Sequence, residues 1–132
     1  EPSKYLAKPH IIACVNAIAA DTSEEAHFLA TTLFQAFINI IRNDRKPFPK
    51  PVEDMDDIWN PMEKAMVLKM LTFSFIGSQD EISEKLSVFQ EQYQVDELMI
   101  TSHVYDHQKR LNSYKIMMQA AQNAFESNKV ER

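Results

Sequence analysis

The side chains best suited to chemistry lie in one short stretch, His103-Val104-Tyr105-Asp106-His107. Imidazole titrates near neutral pH, so His103 could shuttle a proton, and the Tyr105 hydroxyl could hydrogen-bond a substrate. His-x-x-Asp-His also suggests metal ligands, but the stretch crosses a predicted strand–helix junction and the two rings need not share a face. Asp106 is better explained as the N-cap of the next helix. We therefore take His103 and Tyr105 as candidate catalytic residues and predict no metal site.

Gly77 and Ser78 form a second candidate site, because they join a short apolar run to a predicted helix. Backbone N–H groups at a helix N-terminus can hold an anion or the edge of a cofactor. The structural alternative is a helix cap and turn, since Glu81 follows Ser78 at capping-box spacing. Gly77 is the only glycine in the chain, which excludes a glycine-rich dinucleotide fingerprint and a nucleotide-triphosphate loop.

The elements that would position these groups alternate between strands and helices. Residues 10–20 are almost continuously apolar and β-branched, which favours a strand buried on both faces, although frequent alanine leaves a buried helix as the alternative. Apolar residues at helical spacing predict a long helix up to residue 41, and Asn60-Pro61 starts a shorter one. Short runs at 73–76 and 98–101 predict two further strands, each followed by a helix. Strands joined by helical crossovers lie parallel, so the predicted fold class is α/β.

Residues 43–60 interrupt this alternation with prolines on alternate positions, Pro47, Pro49 and Pro51. Each proline restricts the residue before it, so the segment, called the excursion below, is predicted to be extended and non-helical. Its acidic residues are best explained as a solvated loop face. Long connections of this kind in a compact domain are usually functional or mobile.

Composition limits the partners. The chain has 132 residues, a net charge of −5 and scattered lysine and arginine, so it carries no electrostatic footprint for nucleic acid. No apolar run is long enough to span a membrane. The single cysteine, Cys14, rules out an internal disulfide, is predicted to be a small buried hydrophobe, and favours a reducing, cytoplasmic compartment.

Three parallel strands with intervening helices do not close into a complete sheet. A parallel sheet must be covered on both faces and have its edges paired or hidden. The absence of an initiator methionine agrees with this, so we expect a portion of a larger α/β domain.

Four stretches in this order carry a family resemblance: VNAIAADTSEEAHFLATT, PVEDMDDIWNPMEKAMV, FSFIGSQDEISEKLSVF and VDELMITSHVYDHQKRLNSY. Together, over about residues 5–119, they resemble the C-terminal part of the luciferase-like flavin-dependent monooxygenases, TIM (β/α)8 barrels related to the alkanal monooxygenase of luminous bacteria. The resemblance implies that residues 1–132 supply the last three βα units of such a barrel. It also implies that the excursion, residues 43–60, is the family's insertion before the seventh strand.

The resemblance further implies an oxidoreductase that uses reduced FMN and O₂ on an organic substrate, although some relatives use a deazaflavin. Barrel active sites lie at the C-terminal ends of the strands. His103 and Tyr105 would then contact substrate or flavin, and Gly77 and Ser78 would contact the flavin. Since other flavin contacts come from earlier strands, we expect this chain alone neither to retain FMN nor to catalyse a reaction.

The alternative function is non-catalytic. A standalone piece or degenerate homologue with exposed parallel strand edges would self-associate. A homo-oligomer is expected if no other segment supplies the remaining strands.

Overall fold

The computed structural model describes residues 2–130, and side chains as far as residue 126, in the alternating order predicted from the sequence. Its elements are β1 (Ile12–Ala19), α1 (Ser23–Ile41), α2 (Pro61–Met70), β2 (Phe75–Gly77), α3 (Gln79–Tyr93), β3 (Glu97–Thr101) and α4 (His107–Val130). The excursion contains neither helix nor strand, as predicted, and makes a turn at residues 56–58. Within the described chain, no helix has the length and apolarity needed to cross a membrane.

The three strands form one parallel sheet in the order β2-β1-β3. The last part of β1 pairs with β2, from Ala17↔Phe75 onwards, and the first part pairs with β3, ending at Asn16↔Thr101. The parallel α/β class is therefore confirmed. A barrel segment would have its strands side by side in chain order, with β2 central. Here β1 lies at the centre, because its eight residues accommodate a five-residue ladder with β3 and a three-residue ladder with β2, whereas β2 has only three residues in all.

Alternate residues of β1 point into two separate cores, as expected for a strand. We call one side the closed face, where Val15, Ala17 and Ala19 pack against α3 and α4. The other side is the open face. It is covered by α1 and α2 only around Ile18 and Ala20, at its C-terminal end.

The prediction that β1 is buried on both faces is wrong for the N-terminal half of the open face. Ile12 is 52% exposed and Cys14 is exposed rather than buried. The reason is that α1 begins beyond the end of β1 and packs over Ile18, so it does not reach back along the strand.

Local capping rules fix the helix starts. Thr22 accepts the N–H of Glu25, and Asn60 and Glu63 form a capping box at the start of α2. Arg42, the residue that caps α1, donates two hydrogen bonds to Glu63, of 2.7 and 3.1 Å. These bonds attach α2 to the end of α1.

Candidate functional site

The C-terminal ends of the three strands lie along one edge of the sheet, because the strands are parallel. Two hydrogen bonds join neighbouring strands there. The Ala20 N–H donates to the Gly77 carbonyl at 3.3 Å, and the Thr101 hydroxyl donates to the Asn16 side-chain oxygen at 3.0 Å. This edge is where both sets of predicted site residues are found.

A buried pair of hydroxyls fixes the end of β3 to β1 and α4. Ser113 is fully buried, accepts the Ala19 N–H at 2.9 Å, and lies 2.9 Å from the Ser102 hydroxyl. The Tyr114 hydroxyl accepts the Ser102 N–H at 3.1 Å. Two of these hydrogen bonds hold Ser102, the residue before His103, and the third joins Ser113 to β1; the sequence predicted none of them.

His103 and Tyr105 are exposed at the end of β3, where the excursion reaches them. The Phe48 ring lies 6.3 Å from the His103 ring, centroid to centroid. The Lys50 Nζ atom lies 5.9 Å from the centre of the Tyr105 ring, within range for a cation–π contact. The predicted catalytic pair thus gains an aromatic and a cationic neighbour from a segment far away in the sequence.

The excursion is attached to α1 by backbone groups on either side of Pro51. Gln35 donates a hydrogen bond of 2.8 Å to the Lys50 carbonyl, and the Val52 N–H donates 2.9 Å to the Thr31 hydroxyl. Further along, Trp59 stacks on Phe34 with ring centroids 5.6 Å apart. These contacts hold Phe48 and Lys50 beside the end of β3.

Asp106 and His107 have structural partners. The Asp106 carboxylate accepts the Lys109 N–H at 2.9 Å, which is the N-cap role favoured from the sequence. His107 accepts a hydrogen bond from Arg110 at 2.9 Å. Among residues 2–130, no group of three or more potential ligands is arranged to hold a metal ion.

Gly77 and Ser78 form a helix cap in which the Glu81 carboxylate occupies the position where an anionic ligand would bind. The Ser78 N–H donates to Glu81 Oε2 at 2.8 Å, and a Cβ on Gly77 would lie 2.3 Å from the same oxygen. The bond from the Ser78 N–H is the largest cause that lowers the pKa of Glu81. An anionic ligand would therefore have to displace Glu81, so flavin binding at Gly77 and Ser78 stays a prediction with that condition attached.

The two candidate sites lie on opposite sides of β1. Gly77 and Ser78 follow β2, whereas His103 and Tyr105 follow β3, and β1 separates these strands. Two strand spacings amount to roughly 9–10 Å. The structure thus places both sites on one edge without bringing them into contact.

Charged and polar side chains link the starts of α1 and α4 beside this edge. Lys109 forms an ion pair with Glu25, and Asn112 donates to Asp21 at 3.3 Å. The hydrogen bond to Glu25 raises the pKa of Lys109. These contacts fix the first turns of α4, which begins directly after Tyr105 and Asp106.

Comparison with known proteins agrees with the family resemblance. No family model matches the chain. A luciferase-like monooxygenase of Escherichia coli (strain K12) is 35% identical over 118 residues, which are 89% of this chain and 35% of that protein. The uncharacterized protein YvbT of Bacillus subtilis (strain 168) is 40% identical over 116 residues, 88% of this chain and 34% of that protein. The chain therefore spans about a third of the length of these relatives.

The fold has a counterpart among solved structures. The crystal structure of apo-MsnO8 superposes with a TM-score of 0.68 at 20% identity, over 88% of this chain and 36% of that one. At this identity the likeness concerns the fold alone. Sequence and fold agree, and over most of its length the chain is a homologue of proteins named luciferase-like monooxygenase, as its motifs predicted.

Proposed function

We propose that the chain is the C-terminal portion of a flavin-dependent monooxygenase that, as a complete TIM (β/α)8 barrel, uses reduced FMN and O₂ on an organic substrate. The observation that carries the proposal is the homology over nearly the whole chain but only a third of the relatives' length. The open face and the unpaired outer edges of β2 and β3 support it, because parallel sheets are normally covered. Neighbouring strands of a (β/α)8 barrel follow the order of the chain. The proposal therefore requires β3 to pair with β2 in the complete protein, whereas here β3 pairs with β1.

The residues present fit a flavin or substrate better at the end of β3 than at the start of α3. His103, Tyr105 and Lys50 supply an imidazole, a phenol and an ammonium group, and Phe48 supplies an apolar surface beside them. The start of α3 has Glu81 on the Ser78 N–H. A flavin bound in the complete protein would supply the activation of O₂.

The contribution of this chain would then be binding and proton handling. The Tyr105 hydroxyl would orient the substrate by a hydrogen bond, and His103 would take or give a proton at its imidazole. Phe48 and the excursion would limit the access of water to the end of β3. His103 and Tyr105 are catalytic residues in this proposal, whereas Phe48 and Lys50 are positioning residues.

The test uses the complete protein, with H103A and Y105F compared against H27A. His27 is an exposed helix residue that hydrogen-bonds only its own helix, to the Ser23 carbonyl at 2.8 Å, so its loss is a matched control. We expect FMN-dependent O₂ consumption in the wild type, a loss of about 10²–10⁴ in kcat/KM for H103A, and little change for H27A. A complete protein that neither binds FMN nor consumes O₂ would overturn the proposal.

The alternative, a non-catalytic self-associating chain, is favoured by one observation. Ile12 and Met99, on neighbouring strands of the open face, are 52% and 53% exposed. Sedimentation of the 132-residue chain tests it: self-association through this face predicts an oligomer that M99K converts to monomer. A monomeric wild-type chain would exclude this alternative.

A further inference from the structure

The last helix, α4, carries apolar side chains on two of its sides. The buried side packs on the closed face of the sheet and contains Ile116, Met117, Ala120 and Ala124. The second side, which we call the outer stripe, contains Leu111, Tyr114, Met118 and Phe125. Leu111, Met118 and Phe125 are each seven residues apart, which is nearly two helical turns, so they lie in one line along α4. A helix that packs on one side needs one apolar stripe, so the second stripe indicates a second packing partner.

The outer stripe is open to solvent in the described chain. Leu111 is 50% exposed, Tyr114 is 39% exposed and Met118 is 60% exposed. Single apolar side chains are common on protein surfaces, whereas several in a row mark an interaction site. The neighbouring exposed positions Lys115 and Gln119 are polar, so the apolar character is confined to one side of the helix.

The outer stripe lies next to the unpaired edge of the sheet. The Tyr114 hydroxyl accepts the Ser102 N–H directly after β3 at 3.1 Å, whereas α3 contacts the buried side of α4, where Ser83 donates to the Ala120 carbonyl at 3.3 Å. The stripe therefore lies towards β3 and away from α3. Because β3 is the last strand of the sheet order, its outer edge has no partner strand within the described residues. A strand followed by a helix would cover the edge and the stripe together.

This surface is the same whichever strand lies at the inner edge of β3. Crossovers between parallel strands are almost always right-handed, so the passage from β2 through α3 fixes which edge of β3 faces outwards. That edge stays free whether β1 lies inside it, as here, or β2 does, as proposed for the complete barrel. In a closed (β/α)8 ring the last βα unit adjoins the first. Since the chain spans about a third of its relatives' length, the first unit belongs to the part of the protein outside it.

We propose that the outer stripe is the docking surface for the helix of the first βα unit of the complete protein, whose strand pairs with the outer edge of β3. The partner helix would present an apolar face, and the flexible Met118 side chain can adapt to its shape. The Tyr114 ring would be covered while its hydroxyl keeps the bond to Ser102. The inference rests on the proposed function, because it needs the complete barrel, and it assigns the stripe to barrel closure rather than to the chemistry at the strand ends.

The experiment measures how accessible the stripe is in the complete protein and in the 132-residue chain. M118C is compared with Q119C, and both carry C14S because the native Cys14 is exposed. Gln119 is the next residue of α4, exposed but outside the stripe, so Q119C is the matched control. Each folded variant is treated with a water-soluble maleimide, and labelling at the introduced cysteine is followed by peptide mass spectrometry. L111C repeats the measurement at the other end of the stripe, and FMN-dependent O₂ consumption is assayed separately.

The two cysteines should react at similar rates in the 132-residue chain. In the complete protein M118C should react at least about tenfold more slowly than Q119C, because a covered thiol reacts only when the interface opens. Equal rates for M118C, L111C and Q119C in the folded complete protein would overturn the inference, even if that protein is an active FMN enzyme. Protection of M118C in the 132-residue chain that disappears on dilution would also overturn it, because a second copy would then be the occupant. Slow labelling of M118C in a complete protein that consumes no O₂ with FMN would overturn the proposed function and leave the docking surface standing.

Discussion

The two faces of the sheet are covered to very different extents. On the closed face, Val15, Ala17 and Ala19 are at most 5% exposed, along most of β1. On the open face, exposure runs from 0% at Ile18 to 52% at Ile12 along the same strand. The strand β1 is therefore buried on its closed face and partly exposed to solvent on its open face.

The difference separates stability from function. The closed face contains small and branched apolar residues that the following helices cover. The open face contains the polar pair Asn16–Thr101, and at its C-terminal end the excursion brings Phe48 to His103. Substitutions on the closed face should lower stability, whereas those at the exposed positions of the open face should alter binding.

The largest expected effect compares L86A with M99A. Leu86 is 1% exposed beneath the closed face, so L86A should lower the free energy of unfolding by about 2–5 kcal/mol. Met99 is 53% exposed, so M99A should change the free energy of unfolding by less than about 0.5 kcal/mol. Urea denaturation followed by circular dichroism measures both. Equal losses would mean that the open face is buried in solution and would remove the contrast between the faces.

A second test concerns the buried hydroxyl of Ser113. S113A leaves the Ala19 N–H and the Ser102 hydroxyl without their buried partner, which should cost about 1–3 kcal/mol. S83A is the control, because the Ser83 hydroxyl is only partly buried and donates at 3.3 Å to a backbone carbonyl within α4. If both variants unfold at the same urea concentration, Ser113 does not hold the strand ends together.

A third test concerns Gly77 on β2. Its φ of 158° and the 2.3 Å approach of Glu81 Oε2 to a Cβ both oppose a side chain, so G77A should cost about 1–3 kcal/mol. Repeating the substitution in an E81A background isolates the steric part, since Glu81 is then absent. An equal cost in both backgrounds would show that the backbone angle alone requires glycine.

The features that the sequence predicted follow from short-range rules. The helix start at Asn60, the N-cap at Asp106 and the non-helical excursion each depend on residues a few positions apart. The strand order, the exposure of Cys14 and the bond from Ala19 to Ser113 depend on pairings between distant residues. Local sequence patterns do not indicate which strand lies at the centre of the sheet.

The same limit applies to the candidate site. His103 and Tyr105 could be selected by residue type, because imidazole and phenol at a strand end are unusual. Their neighbours Phe48 and Lys50 could not, since the excursion's path depends on its attachment to α1. Asn16 did offer a signal, as an amide within an apolar strand, but its pairing with Thr101 required the register of the sheet.

A fourth test asks whether the excursion and α2, which pack on the open face, can unfold locally while α3 and α4 stay folded. Arg42 joins α1 to Glu63 of α2 and donates at 2.8 Å to the Ile58 carbonyl of the excursion. R42Q should speed amide hydrogen exchange in residues 43–70 and leave α3 and α4 unchanged, because these helices pack on the closed face. K64Q is the control, since the Lys64 ammonium makes a 3.6 Å ion pair with Asp56 and lies 5.7 Å from the centre of the Trp59 ring, without a hydrogen bond to the excursion backbone. Faster exchange throughout would mean that the two sides unfold as one unit.

The smallest expected effect is the pH dependence of the same junction. The hydrogen bond from Arg42 lowers the pKa of Glu63 below its usual value of 4.5, with the Asn60 N–H adding to the effect. A carboxyl with a lowered pKa in the folded state stabilises the fold above its unfolded pKa, and this contribution is lost as the pH falls through the folded pKa. Wild-type stability should therefore decline below about pH 4.5 more steeply than that of R42Q. A Glu63 carboxyl that titrates by NMR at the same pH in wild type and R42Q would contradict the assignment of the shift to Arg42.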